Sequence, residues 1–314
     1  MRLDAITLRQ LRALLAVDEA GSMTGAAHLL SLSAPAIHAQ IKGLEDAYGC
    51  RLVRRAADNT GSELTSEGKA VLEAAVRLEG ILSQSGEQVR AIAKGMVGRV
   101  TLGVVSTGKY FAPRLVKMLK ERCPEIEVAL RVGNRETVIS GLDRGHLDLA
   151  VMGRPPRHPV VEAEVLGPHP HGLLADPTHR LAGQKTVSAD DLAAEVILSR
   201  EEGSGTRILM TRYLDRIGEG RVFDLYEMDS NETIKQAAMA GLGIAFLSLH
   251  TATEELATGR LHFIRAPGLP IDRQWFLVRP TAFAAKSVTA RLHDAILSLD
   301  GAYLPSPAAQ TGTS

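Results

Sequence analysis

Apolar residues recur at helical spacing through the first 94 positions, then give way to short apolar runs alternating with amphipathic stretches. Leu8, Leu11, Leu14, Leu15 and Ala16 mark a helix over Ile6–Ala20 that starts at the capping residue Thr7. Two more helices follow. One is Met23–Leu30, which Thr24 can cap; the other runs on to Tyr48, with Ser33 as cap, Pro35 in its first turn and Gly49 after its end. Leu30-Ser31-Leu32 makes the turn between them, and Ala27, Leu30, Leu32, Ile37 and Leu44 offer a small shared core. Such a pair is a helix-turn-helix, whose second helix enters the major groove of DNA; an ordinary αα-hairpin in a bundle is the other reading. Cys50–Arg55 predicts a short basic strand, and Asp58–Ser62 the turn of a hairpin returning through Glu63-Leu64-Thr65, which together make a wing.

A long helix starts at Thr65 or Ser66. Along it Val71, Ala75, Leu78, Leu82, Ser85, Val89 and Ile92 are spaced alternately by four and three, a heptad seam that predicts pairing of two copies. Lys94–Gly98 reads as a hinge. Beyond it, strands at Arg99–Ser106, Ile126–Val132 and Leu147–Met152 alternate with helices at Lys109–Arg122 and Asn134–Arg144, the order of a parallel α/β sheet. A second set comprises Gly172–Ala175, Val196–Ser199, Gly205–Arg216, Phe223–Met228, Asn231–Ala240 and Ile244–Leu249, and strand Trp275–Arg279 and helix Ala285–Leu299 close the chain. Stretches near 161–166 and 262–266 are read as crossings between two lobes with a cleft between them. The expected organisation is a DNA-binding domain over 1–65, a dimerising helix over 66–94 and a ligand-binding domain over 95–304. Within that last domain, lobe I is about 97–165 and 268–303 and lobe II about 166–267, and a disordered tail follows over 305–314.

Composition limits the function. With 45% hydrophobic and 23% charged residues the chain is globular, no apolar run approaches the roughly 20 residues of a membrane span, and the opening Met-Arg-Leu-Asp-Ala-Ile-Thr lacks an apolar signal core. A cytoplasmic protein is expected, and an exported solute-binding protein is disfavoured. Two cysteines, Cys50 and Cys123, are expected to stay reduced. The net charge is zero, and residues 1–65 hold seven Lys/Arg against seven Asp/Glu. Positive charge is local, in Lys42, Arg51, Arg54 and Arg55, where phosphate contacts are made. No nucleophile elbow, phosphate loop or metal-ligand pair appears, so neither an enzyme nor a bound cofactor is expected; His169-Pro170-His171 reads as a surface connection.

The N-terminal residues resemble the LysR-type transcriptional regulators. Ser22, Thr24, Ala26, Ala27, Leu30, Ser33, Pro35, Ala36, Gln40, Ile41, Leu44, Glu45, Gly49, Leu52 and Arg55 match the family's pattern at fixed spacing, as does Leu64-Thr65-x-x-Gly68. Ala34, His38, Ala39 and Val53 depart from it. The resemblance implies a winged helix-turn-helix and linker helix, then a bilobal effector domain of the type II periplasmic-binding-protein kind. It also implies a homodimer, a homotetramer and RNA polymerase as a partner. The expected DNA-binding residues are Thr24, Ser33, Ala34, Pro35, Ala36, His38, Gln40, Lys42, Arg54 and Arg55. Of these, His38 and Gln40 are read as base hydrogen-bonders, and Ala34 and Ala36 as contacts to thymine methyls.

Further stretches resemble the subgroup that controls carbon-fixation (Calvin-cycle) operons. They are Val105–Pro113, Val132–Arg135, Asp148–Pro156 and Glu202–Arg207. An activator of those genes is implied; a regulator of another metabolic operon, sensing a carboxylate or aromatic acid, is the alternative. A sensor acting mainly through a protein partner would need a dispensable helix-turn-helix. Ligands collect at the carboxyl ends of strands in such folds, and a Gly-Ser-Gly-Thr helix start with nearby cations suits an anion. The expected effector residues are therefore Ser106, Thr107, Lys109, Asn134, Arg135, Arg154, Ser204, Gly205, Thr206 and Arg207, with Asn231 as a contact or an N-cap. The resemblance implies a phosphorylated or nucleotide metabolite such as ribulose bisphosphate, phosphoenolpyruvate or NADPH.

Overall fold

A computed structural model describes residues 2–55, 61–94, 96–282 and 287–306. The chain divides into two compact units, Met1–Ser85 and Gly86–Ser314. The turn expected at Asp58–Ser62 falls mostly, the Gly95 of the hinge wholly and the tail expected over 305–314 from 307 onward outside the described residues.

In the first unit, helices α1 (Leu8–Ala20), α2 (Met23–Leu29) and α3 (Ala34–Tyr48) precede a hairpin of β1 (Val53–Arg55) and β2 (Ser62–Leu64) and the start of α4 (Ser66–Ala93). Thr7 and Gln10 close a capping box at the start of α1, and the left-handed Gly21 ends it. Ser22, not Thr24, caps α2: its hydroxyl accepts from the Gly25 N–H at 3.0 Å, and Thr24 lies exposed inside the helix. Ser33 caps α3 and Gly49 ends it in the left-handed region. The core gathers Leu14, Ala26, Ile37, Leu44 and Leu52, all sealed from solvent. Leu30 is only half-buried, and Leu8 and Leu32 face solvent, because Leu32 lies in the turn rather than on a helix face. The basic strand is shorter than expected, three residues starting at Val53.

The junction of wing and α4 has a specific cause. Glu45 of α3 accepts the Leu52 and Val53 N–H groups at 2.9 and 3.2 Å. Thr65 donates to the Arg51 carbonyl at 2.8 Å and accepts from the Gly68 N–H at 3.0 Å. Helix α4 then passes so close that a Cβ on Gly68 would meet the Leu52 carbonyl oxygen at 2.1 Å. Val71 and Ala75, the first members of the heptad seam, are buried in the head's core; Leu78, Leu82, Val89 and Ile92 are exposed.

The second unit comprises β3 (Gly98–Val105), α5 (Ala112–Arg122), β4 (Ile126–Gly133), α6 (Arg135–Asp143), β5 (Leu149–Met152), β6 (Val161–Ala175), α7 (Ala189–Ala193), β7 (Val196–Arg200) and α8 (Gly205–Gly218). It continues with β8 (Asp224–Met228), α9 (Asn231–Met239), β9 (Ile244–Ser248), α10 (Thr253–Ala257), β10 (His262–Ile264), β11 (Ile271–Pro280) and α11 (Ser287–Leu297). Among the described residues the strands form one mixed sheet in the order β4-β3-β5-β11-β6-β9-β7-β8, with β10 also on β6. Parallel triplets make the two lobes, β4-β3-β5 and β9-β7-β8, and the antiparallel pair β6/β11 joins them. The strands expected to run parallel, β3, β4 and β5, do so, and the antiparallel β6/β11 pair makes the whole sheet mixed. The second crossing strand is β11; the stretch near 262–266 is instead β10, paired with β6. Lobe I packs around Leu102, Leu115, Leu149, Trp275 and Leu292, and lobe II fills both faces of its sheet through Ile197, Phe246, Leu198 and Leu247.

Gly68→Ala is expected to cost about 2 kcal/mol, the range of overpacking against backbone that cannot retreat, read as a lowered urea midpoint of the full chain.

Candidate functional site

Helix α3 buries Ile37, Ile41, Leu44 and Ala47 on one side. Its opposite side presents Pro35, His38, Ala39, Lys42 and Asp46 to solvent. A shallow concavity bordered by Ser22, His38, Lys42, Arg51 and Arg54 runs from this face to the wing, with Glu45 and Asp46 also on its border. This is the surface a major-groove reader needs: a rigid helix with a free face and cations at its edges. Ser33, Pro35, His38 and Lys42 lie exposed on α3 or at its start. Three residues depart from their expected places. Gln40 is half-buried because it flanks Ile41 on the inner side, Ala34 packs against the core, and Ala36 is half-buried. Arg54 is exposed but paired with Glu63 across the hairpin at 3.2 Å. The Arg55 side chain lies outside what the structure describes.

In the second unit, a cleft of about 740 Å³, counted out to its open mouth, lies at the carboxyl ends of β3 and β5. Eight expected effector residues meet there: Ser106, Thr107, Asn134, Arg135, Arg154, Ser204, Gly205 and Thr206. Each is held by local structure. Asn134 caps α6, taking the Thr137 N–H at 2.8 Å. Arg135 is half-buried and donates to the backbone carbonyls of Arg154 and Pro155. Burial, and then the neighbouring Arg154, lower the Arg135 pKa. Ser204 precedes α8 without a side-chain capping bond, which leaves that helix's first-turn N–H groups and dipole facing the cleft.

Three expected residues do not line it. Lys109 sits on a 3-10 turn over Ser106–Tyr110, where Glu232 of α9 holds both its ammonium and the Tyr110 hydroxyl. Burial pushes the Glu232 carboxyl up, but the bonds from Lys109 and Tyr110 outweigh this and hold it below the ordinary range. Arg207 turns away to Glu227 and the Arg200 carbonyl. Asn231 is buried and accepts from Arg200, and the cap of α9 is Ser230.

The structure adds residues that spacing did not single out. Arg212 and Arg273 line the cleft, giving four arginines with Arg135 and Arg154 and no carboxylate among the lining residues. Arg200, 3% exposed, is gripped by both oxygens of Glu201 at 2.6 and 2.8 Å and reaches Ser106 of the other lobe at 3.3 Å. His169 and His171 are not on a surface connection, as their prolines suggested. They are buried on β6 at the cleft floor. The His169 ring lies on Trp275 with centroids 3.7 Å apart, and Trp275 donates to His250 Nδ1 at 3.1 Å. Burial pushes His169 well below the ordinary histidine value, His171 down to about 3 and His250 down to about 4. No group of three or more His, Cys, Asp or Glu among the described residues is arranged to hold a metal ion.

A winged helix-turn-helix head on a chain with a two-lobed α/β domain is the architecture of bacterial transcription regulators that carry their own sensor. Residues 8–69 match the model of bacterial regulatory helix-turn-helix proteins of the lysR family, and residues 93–299 that of the LysR substrate binding domain. The chain belongs to the LysR family; it is a transcriptional regulator and not an enzyme. It is similar to the HTH-type transcriptional regulator CbbR of Cereibacter sphaeroides, at 58% identity over 97% of this chain and 98% of that one. The RuBisCO operon transcriptional regulator of Allochromatium vinosum is 39% identical over 87% and 89%. The regulatory domain of Synechocystis CcmR, solved in complex with 2-PG, superposes with a TM-score of 0.61 at 30% identity, covering 64% of this chain and 97% of that one.

Lys42→Ala is expected to weaken binding to promoter DNA about equally for all sequences and to reduce the slope of log affinity against log salt by about 1. Fluorescence anisotropy over a salt series checks both, and Gln40→Ala should change affinity less than His38→Ala. The histidines give a second expectation. Their folded pKa values lie below the unfolded one, so the unfolded state binds more protons, and stability is lost as pH falls from about 6.5 toward about 3. At pH 5.5 each histidine kept neutral costs about 1.4 kcal/mol relative to pH 7.5. His250→Gln should flatten the decline in thermal midpoint between those two pH values.

Proposed function

We propose that this regulator reads promoter DNA of carbon-fixation genes through the outer face of α3, working as an oligomer joined through α4. We further propose that it answers to a small phosphorylated anion bound between the lobes. The observation that carries the effector reading is the charge of the cleft. Four arginines and the uncapped start of α8 converge on it, and no carboxylate lines it to neutralise them. None of the four has a carboxylate within 4 Å among the described residues. Unpaired cations at a part-enclosed site are what an oxyanion binds to best. The names of the curated relatives support the carbon-fixation target, and the 2-PG complex of the Synechocystis domain supports an anionic ligand in a relative. The exposed Leu78, Leu82, Val89 and Ile92 on α4 support helix pairing, which gives two heads for a two-fold DNA site. Ligand bound to both lobes favours one lobe arrangement, and through it one spacing of heads and one degree of DNA bending.

Footprinting on the promoter of a carbon-fixation operon tests this, with ribulose bisphosphate, phosphoenolpyruvate and NADPH added in turn. A footprint shortened or shifted by a phosphorylated metabolite is expected, and Arg135→Gln should raise the concentration needed at least about tenfold. Lys109→Ala, whose ammonium serves Glu232, should change it by less than about threefold. A specific footprint indifferent to all three compounds overturns the effector reading, and the absence of any footprint overturns the target.

A further inference from the structure

The lining of the cleft is not chemically uniform. Its arginines suit an anion, but its floor also presents His169 and His171, both buried and both lining the cavity, with Arg273 across the strand pair from His169. The proton on His171 is fixed by its partner. Nδ1 lies 3.0 Å from the His169 backbone oxygen, which only accepts, so Nδ1 carries the proton. The neutral ring then presents Nε2 as a bare lone pair, and no described residue donates to it. His169, 3% exposed, has no partner at either ring nitrogen among the described residues. Stacking on Trp275 fixes the plane of its ring. Gly153, also in the lining, keeps that edge open, because a Cβ there would sit 2.8 Å from Nδ1. Buried polar atoms are almost always satisfied in the functional state, so this pair of rings lacks a partner of its own.

We propose that the histidine floor selects the effector for a hydroxyl group, with His171 Nε2 accepting its proton and His169 offering a second hydrogen bond. The ligand class is a hydroxylated organic phosphate, anion toward the arginines and hydroxyl toward the floor. A carboxylate or phosphate oxygen placed on His171 Nε2 would set lone pair against lone pair. The inference rests on the reading of the cleft as an anion site.

Calorimetry on the full-length protein compares 3-phosphoglycerate with phosphoenolpyruvate, both of which carry a phosphate and a carboxylate and only the first a hydroxyl, and the His171 variants tie any preference to the hydroxyl contact rather than to the different phosphate position. The expected result is a Kd at least about tenfold lower for 3-phosphoglycerate. His171→Phe should abolish that preference while moving the phosphoenolpyruvate Kd by less than about twofold; His171→Gln, whose amide oxygen accepts, should keep part of it. Equal affinities for the two probes, or a His171→Phe variant weakened alike toward both, overturn the proposal while leaving the anion site intact. If neither probe binds, the anion-site reading itself falls. Nitrogen-15 spectra of the histidines in the unmodified protein supply a second measurement that does not depend on a variant folding. An unprotonated His171 Nε2 whose resonance moves with 3-phosphoglycerate and not with phosphoenolpyruvate supports the assignment; a protonated Nε2 overturns it.

Discussion

The regulatory domain depends on the pairing of β6 with β11. These two antiparallel strands join the lobes, matching Val161 through His171 with Pro280 through Ile271, with one irregularity at Trp275/Phe276. The same strands line the cleft, His169 and His171 on one and Arg273 on the other, with Trp275 stacked beneath His169. A connection that also lines the binding site makes lobe geometry and ligand contact parts of one equilibrium. A ligand shifts that equilibrium only by the difference between its affinities for the two arrangements.

Around this pair, charge is distributed by function rather than in bulk. The chain is neutral overall, and the head is balanced too. Cations that are to work structurally are paired with acids: Lys109 with Glu232, Arg200 with Glu201, Arg207 with Glu227, Lys235 with Glu255. Those around the cleft have none among the described residues; Arg154, Arg212 and Arg273 are exposed and Arg135 is half-buried, so an entering anion offsets their mutual repulsion and the desolvation of Arg135. Arg200 shows the contrast best. It is more buried than any cleft arginine, yet its charge is consumed by Glu201, and what it offers Ser106 is position.

Much of this was legible in the sequence, for reasons that differ by region. Helix spacing, Ser33, Pro35 and Gly49 specify α3 locally, and residues at the ends of β3 and β5 collect because strand ends converge in any such sheet. Local signals misled where two candidates compete, as with Ser22 and Thr24 for one cap, or where an apolar residue serves a turn, as Leu32 does. The largest miss was the middle of β6, between the strand readings near 161–166 and at Gly172–Ala175. Pro168 and Pro170 look like strand breakers, but they lie where β6 has a partner on one edge only, so the missing N–H groups leave no ladder broken. Reading His169-Pro170-His171 as a surface connection hid the two histidines. Arg212 and Arg273 were hidden differently, since their approach to the cleft depends on how elements distant in sequence pack, which no short spacing encodes. Lys109 and Arg207 sit near cleft residues in sequence but point to other partners, and Asn231 is buried against Arg200.

The central claim is that one anion is held by both lobes at once, and hydrogen exchange with and without a phosphorylated ligand tests it most directly. The account predicts that amides of 105–107, 134–136 and 153–154 in one lobe and 204–207 in the other gain protection together, at the same ligand concentration. Protection confined to a single lobe, or appearing only away from these segments, would contradict it.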